Sequence, residues 1–188
     1  MPAPLRLPPA HTDGTQRLDR RYTAAIENAG GVPVVLPITA SDRTVEETLG
    51  RIDGLVVPGG PAVSEGLTGP LPEELDALGP RRAASDRRWS EACCQAGRPI
   101  LGICYGMQRL NALAGGTIYG DVEAEHEGAQ THSQKRGGTT HPVTLRPSSH
   151  LHRWLDVDTL PVNTRHLQAI ATVGEKFSVA ATAPDGVI

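Results

Sequence analysis

Short apolar runs alternate with amphipathic stretches along most of the chain. Residues 20–29 place Tyr22, Ala25, Ile26 and Ala29 on one helical face, and Gly30-Gly31 follows as a stop signal. Residues 32–38 (VPVVLPI) read as a buried strand. Thr44 and Glu47 have the spacing of a capping box for a short helix carrying Val45, Leu49 and Ile52. Residues 54–57 (GLVV) form the next strand and run into Pro58-Gly59-Gly60-Pro61, and residues 64–82 are a Gly- and Pro-rich loop. Trp89, Ala92, Cys93 and Ala96 mark a helix, and residues 99–103 (PILGI) a third buried strand. Met107, Leu110, Leu113 and Ala114 make the apolar stripe of the helix after it, closed by Gly115-Gly116. Residues 125–140 are polar and expected to form a loop near the site, while residues 141–145 and 177–182 read as later, antiparallel strands. This alternation predicts an α/β domain with a mostly parallel sheet flanked by helices in three layers.

Composition narrows the function. At 188 residues the chain is expected to be one domain, with 38% hydrophobic but only 3% aromatic residues, so its core is mostly aliphatic. The net charge of −3 and the interspersed acidic and basic residues imply no basic face, which argues against nucleic acid as a partner. Without an apolar run of spanning length or a cationic leader, a cytoplasmic protein with no membrane partner is expected. The three cysteines, Cys93, Cys94 and Cys104, show no CxxC spacing, so neither a disulfide framework nor a metal site is expected, and no cofactor motif stands out.

The chemistry concentrates in Gly102-Ile103-Cys104-Tyr105-Gly106-Met107-Gln108. A strand runs straight into a helix, with a nucleophilic residue at the junction and glycines two positions to either side. Such a turn strains its central residue and leaves no room for side chains at the flanking positions. It lifts the central side chain to the carboxyl end of the sheet, where open α/β folds bind ligands. The helix N-terminus beneath it is expected to lower the thiol pKa. Cys93 and Cys94, by contrast, fall mid-helix and are expected to be packed or inert.

These residues resemble the nucleophile elbow of class I glutamine amidotransferases, G-x-C-x-G-x-Q. The nearer resemblance is to the γ-glutamyl-γ-aminobutyrate hydrolase-like branch. It is carried by residues 22–37 (YTAAIENAGGVPVVLP), 53–61 (DGLVVPGGP), 98–122 (RPILGICYGMQRLNALAGGTIYGDV), 162–170 (VNTRHLQAI) and 183–188 (APDGVI), in the family's order. The resemblance implies a flavodoxin-like, class I glutamine amidotransferase-like fold. It implies Cys104 as nucleophile and the amide N–H groups of Gly60 and Tyr105 as the oxyanion hole. It also implies Gln108, His166 and Gln168 as residues that hold the substrate, a small-molecule γ-glutamyl amide.

Two departures shape the expected activity. The family's catalytic His and Glu lie in a His-Pro-Glu segment beyond the Asp-Gly-Val-Ile block, and this segment is expected to be lacking, so hydrolysis through a Cys thioester is expected to be impaired. Of the histidines, His126, followed by Glu127, lies in the wrong part of the pattern. His166 is a conceivable base, and His11, His132, His141, His150 and His152 read as surface residues. Residues 4–8 (PLRLP) stand where the family has a more apolar first strand, and the weakened sheet edges are expected to promote self-association. Two other readings stay open: a non-catalytic binding or assembly protein on the same fold, and a glutaminase subunit feeding ammonia to a synthase.

Overall fold

In the computed structural model, which describes residues 14–188, a parallel pair of strands carries the candidate nucleophile. Strand β1 (Leu55–Val57) lies beside β2 (Ile100–Gly102), with Leu55 opposite Ile100 and Val57 opposite Gly102. Helices α2 (Asp42–Leu49) and α3 (Pro80–Gln95) pack against one another, and α3 and α4 (Tyr105–Leu113) against the strands. Val45, Leu55, Val57, Val63, Leu78, Trp89, Cys93 and Tyr105 form the buried cluster between them. The mostly aliphatic core expected from composition is what the fold uses, with Trp89 anchored through its indole N–H to the Pro37 carbonyl at 3.1 Å.

The second half is antiparallel. β3 (Thr117–Tyr119) pairs with β6 (Ala169–Thr172), and a separate ladder runs β5 (Thr159–Asn163), β4 (Thr140–Leu145), β7 (Ala181–Thr182). The antiparallel placement expected for residues 141–145 and 177–182 holds, although only Ala181 and Thr182 of the latter pair in the ladder. Asn111 ties this half to α4: its amide donates to the Thr172 carbonyl at 2.9 Å and the Thr117 carbonyl at 3.3 Å, and accepts from the Gly174 N–H at 2.8 Å. Helices α1 (Arg20–Asn28), α5 (Val122–Glu125) and α6 (His150–Leu155) complete the α/β fold.

Several expectations need correction. Residues 32–38 form no strand, and Val32, Val34 and Val35 are exposed. Pro33 and Pro37 remove two ladder donors there, and the backbone partner is instead a side chain: Gln16 donates to the Leu36 carbonyl at 2.7 Å and accepts from the Ile38 N–H at 2.9 Å. A groove of about 660 Å³ lies between this segment and β1. Helix α2 is capped by Ser41, which accepts from the Thr44 N–H, while Glu47 pairs with Arg43. Strand β2 is not wholly buried, since Leu101 is exposed. In α4 the expected apolar stripe is not the buried face: Met107 is exposed, whereas Gln108, Arg109 and Asn111 are buried. The 125–140 segment is pinned by the side chains of Glu123 and Asp185. Residues 4–8 lie outside the described residues.

Asn111→Ala strips partners from three backbone groups at once, one of them the buried Gly174 N–H. A loss of about 1–3 kcal/mol in unfolding free energy is expected, read as a lower urea midpoint with unchanged slope.

Candidate active site

Cys104 is the hinge between β2 and α4. Its backbone sits at φ 52°, ψ −107°, a left-handed conformation rare for a residue with a side chain. The turn is closed by the Gly106 N–H to the Ile103 carbonyl at 3.0 Å and the Gln108 N–H to the Cys104 carbonyl at 3.0 Å. Both flanking glycines are required on steric grounds. A Cβ on Gly102 would lie 2.5 Å from the Met107 nitrogen, and one on Gly106 would overlap the Val57 carbonyl.

The thiol is reached by solvent yet ringed by protein atoms. Burial pushes the Cys104 thiol above its ordinary value, and the backbone N–H of Tyr105 pulls it back only in part. The depression expected from the helix N-terminus is therefore outweighed by loss of water around the sulfur. Cys93 is fully buried and raised by the same cause, whereas Cys94 is exposed, so of the two readings, packed or inert, only the second stays open for it.

The glycine turn after β1 lies against this elbow. A Cβ on Gly59 would lie 3.8 Å from that of Cys104, and one on Gly60 would touch the Tyr105 ring at 3.5 Å. The Gly59 N–H is already engaged by the Tyr22 hydroxyl at 3.0 Å. Tyr105 itself is buried, its hydroxyl donating to Asp86 at 2.9 Å while Arg82 pairs with Asp86 and lies over the ring. Burial, then the Asp86 charge, raises the phenol further above its usual range, so it stays a neutral donor. Tyr22, Arg82 and Asp86 were missed in the sequence. Tyr22 read as a core-face helix residue, and the Asp86–Tyr105 contact joins two helices with no local pattern to reveal it.

Gln108, Gln168 and His166 come together behind the turn. The Gln168 amide accepts from the Val63 N–H and donates to the Val63 carbonyl, both at 2.8 Å, and Gln108 donates to the Gln168 carbonyl at 2.7 Å. Both glutamines are buried. His166 donates through Nδ1 to the same Gln168 carbonyl at 3.0 Å; burial, then the neighbouring His132, lowers its pKa.

The other histidines are engaged elsewhere. His126 contacts the Tyr119 hydroxyl and the Asp185 carbonyl, His152 pairs with Asp158, and His150 lies against Trp154. His132 is not the surface residue expected: it is buried, bonded to Asp185 at 2.8 Å, with the His141 ring edge-on at 4.8 Å and the His166 ring tilted at 4.9 Å between centroids. Among the described residues no histidine hydrogen-bonds Cys104, and His11 lies outside them.

Comparison with known proteins identifies the family and the fold. The chain is 33% identical over 172 residues to protein NtpR of Enterococcus hirae, covering 89% of this chain and 71% of the relative. It is 29% identical over 183 residues to γ-glutamyl-γ-aminobutyrate hydrolase PuuD of Escherichia coli, covering 93% and 72%. A Thermoplasma acidophilum protein described as a GMP synthase subunit superposes with a TM-score of 0.59 at 18% identity, over 92% of this chain and 71% of that one, which shows a shared fold. The Peptidase C26 family model matches residues 5–188. With the strained cysteine elbow, the glycine turn against it and a family match over nearly its whole length, the chain belongs to the Peptidase C26 family, of the class I glutamine amidotransferase-like type.

Proposed function

We propose that this protein cleaves γ-glutamyl amides of small molecules through a thioester on Cys104. The observation that carries the reading is the Cys104 backbone, held at φ 52° in the turn from β2 into α4, where Gly102 and Gly106 leave no room for side chains. Membership in the family supports a hydrolase or amidotransferase-like activity, and an Escherichia coli relative is named for γ-glutamyl-γ-aminobutyrate hydrolysis.

In this reading the Cys104 thiolate attacks the γ-carbonyl carbon and a C–S bond forms. The resulting oxyanion is received by the N–H groups of Gly60 and Tyr105, each such donor contributing about 10²–10³-fold in rate. Collapse breaks the C–N bond, and the amine departs with a proton. Water then attacks the thioester, releasing glutamate and restoring the thiol. Gln108, His166 and Gln168 act as positioning residues: their bonds to one another and to Val63 fix the segment that follows the glycine turn. Proton delivery to the leaving amine is the step for which the described residues offer no histidine at the thiol, and a Cys–His pair ordinarily supplies it.

Incubation with a glutamine-like electrophile should add one adduct per chain by intact mass, mapped to Cys104 and abolished by Cys104→Ser. An adduct that persists in this variant, or that maps to the exposed Cys94, would sink the assignment of the nucleophile. Because burial raises the thiol, the pH midpoint of iodoacetamide alkylation at Cys104 should lie above that of a free cysteine peptide, with the thiolate gained only as pH climbs. A midpoint below the peptide's would show that the helix terminus wins after all. Glutamate release from a γ-glutamyl amide should depend on Cys104 and be abolished by Cys104→Ser. Release that survives this substitution would overturn the thioester route.

A further inference from the structure

Three histidines from three successive segments of the chain converge on the side of the antiparallel ladder. His132 lies in the loop after α5, His141 on β4, and His166 in the connection between β5 and β6. One ring nitrogen from each lies within 4.8 Å of those of the other two.

Hydrogen bonds fix how each ring presents itself. His132 meets the Asp185 carboxylate through Nε2 at 2.8 Å, His141 meets the Pro142 carbonyl through Nδ1 at 3.1 Å, and His166 meets the Gln168 carbonyl through Nδ1 at 3.0 Å. All three partners are acceptors, so each ring carries its N–H there and a lone pair on the other nitrogen. The nitrogens left over are His132 Nδ1, His141 Nε2 and His166 Nε2. At His132 Nδ1 the nearest hydroxyl, Thr164 at 3.4 Å, commits its proton to the His132 carbonyl at 2.6 Å. His141 Nε2 is buried with no hydrogen-bond partner. Clustered lone pairs with no donor between them are costly in a protein interior, and a cation removes that cost.

We propose that His132, His141 and His166 bind a single divalent transition ion of the zinc class. Three neutral imidazoles without a thiolate suit such an ion, and the outward N–H of each ring held by a carboxylate or carbonyl is the support that metal-bound histidines need. Zn–N bonds near 2.0–2.1 Å would draw the three nitrogens to about 3.3 Å apart in a tetrahedral site, with the fourth position left to water. The ion would join β4, the loop before it and the connection carrying Gln168. The site holds no atom of Cys104 and, although His166 also belongs to the group around Gln168, it does not depend on the amide-cleaving reading.

The test uses the full chain stripped by chelator and titrated with Co²⁺, then Zn²⁺. One Co²⁺ per chain should give tetrahedral-type d–d absorption without thiolate charge transfer, displaced by Zn²⁺, and Zn²⁺ should raise the thermal midpoint. Cys104→Ser should leave this intact, His141→Gln and His166→Gln should each abolish the band, and Asp185→Asn should weaken binding by roughly 10–100-fold. Should both histidine variants fail to fold, imidazole ¹⁵N spectra of the wild type decide: Zn²⁺ must shift three histidines together. No Co²⁺ band in the wild type, a band that survives both histidine variants, or one lost in Cys104→Ser would overturn the site.

Discussion

The carbonyl of Val57 lies so close to the Gly106 backbone that a single methyl group there would overlap it. This contact sets the height of α4 above β1, and the site follows from it. With the helix seated on the strand, its first turn must begin immediately at the end of β2, which forces Cys104 into its left-handed conformation. The same closeness lays the Tyr105 ring beside Gly60 and brings the glycine turn against the elbow. A parallel pair of three residues each is small for such a task. It suffices because the helix–strand approach is backbone to backbone, with little side-chain freedom to absorb error.

The inner face of α4 is polar, and most of its groups are answered, the buried Nε of Arg109 being the exception. Gln108 reaches the Gln168 carbonyl, and Asn111 spans the β3–β6 pair. Arg109 binds Glu65 at 2.7 Å and the Ala83 carbonyl at 3.2 Å. Polar groups in a dry interior stabilise only when paired, so this face specifies one arrangement of the loops around it. An apolar face would have packed about as firmly while tolerating several.

The elbow was legible because its constraint is local: a strand, a turn and a helix within seven residues, with steric limits that only glycine meets. The α/β class and the positions of α1, α4 and β1 were legible from periodicity for the same reason, whereas α3 begins at Pro80, inside the stretch read as a loop. What sequence could not show depends on partners far along the chain. Residues 32–38 have the apolar run of a strand but also two prolines, and here the Gln16 side chain takes the place of a neighbouring strand at Leu36 and Ile38. The apolar stripe of α4 was real as a pattern, but which face turns inward was decided by Gln168, Thr172 and Gly174, some 60 residues on. His132 looked like a solvated loop residue because its partner, Asp185, is 53 positions away.

The backbone of Cys104 has a consequence for the history of such a protein. A residue with a side chain at φ 52°, ψ −107° stores strain, and glycine would occupy the same turn with less resistance. Replacement of the proposed nucleophile by glycine would therefore remove the chemistry proposed for it while leaving the scaffold as durable as before, or more so. Lineages on this fold can fall silent without falling apart. A folded, abundant relative with glycine at this place is what unopposed drift would leave behind.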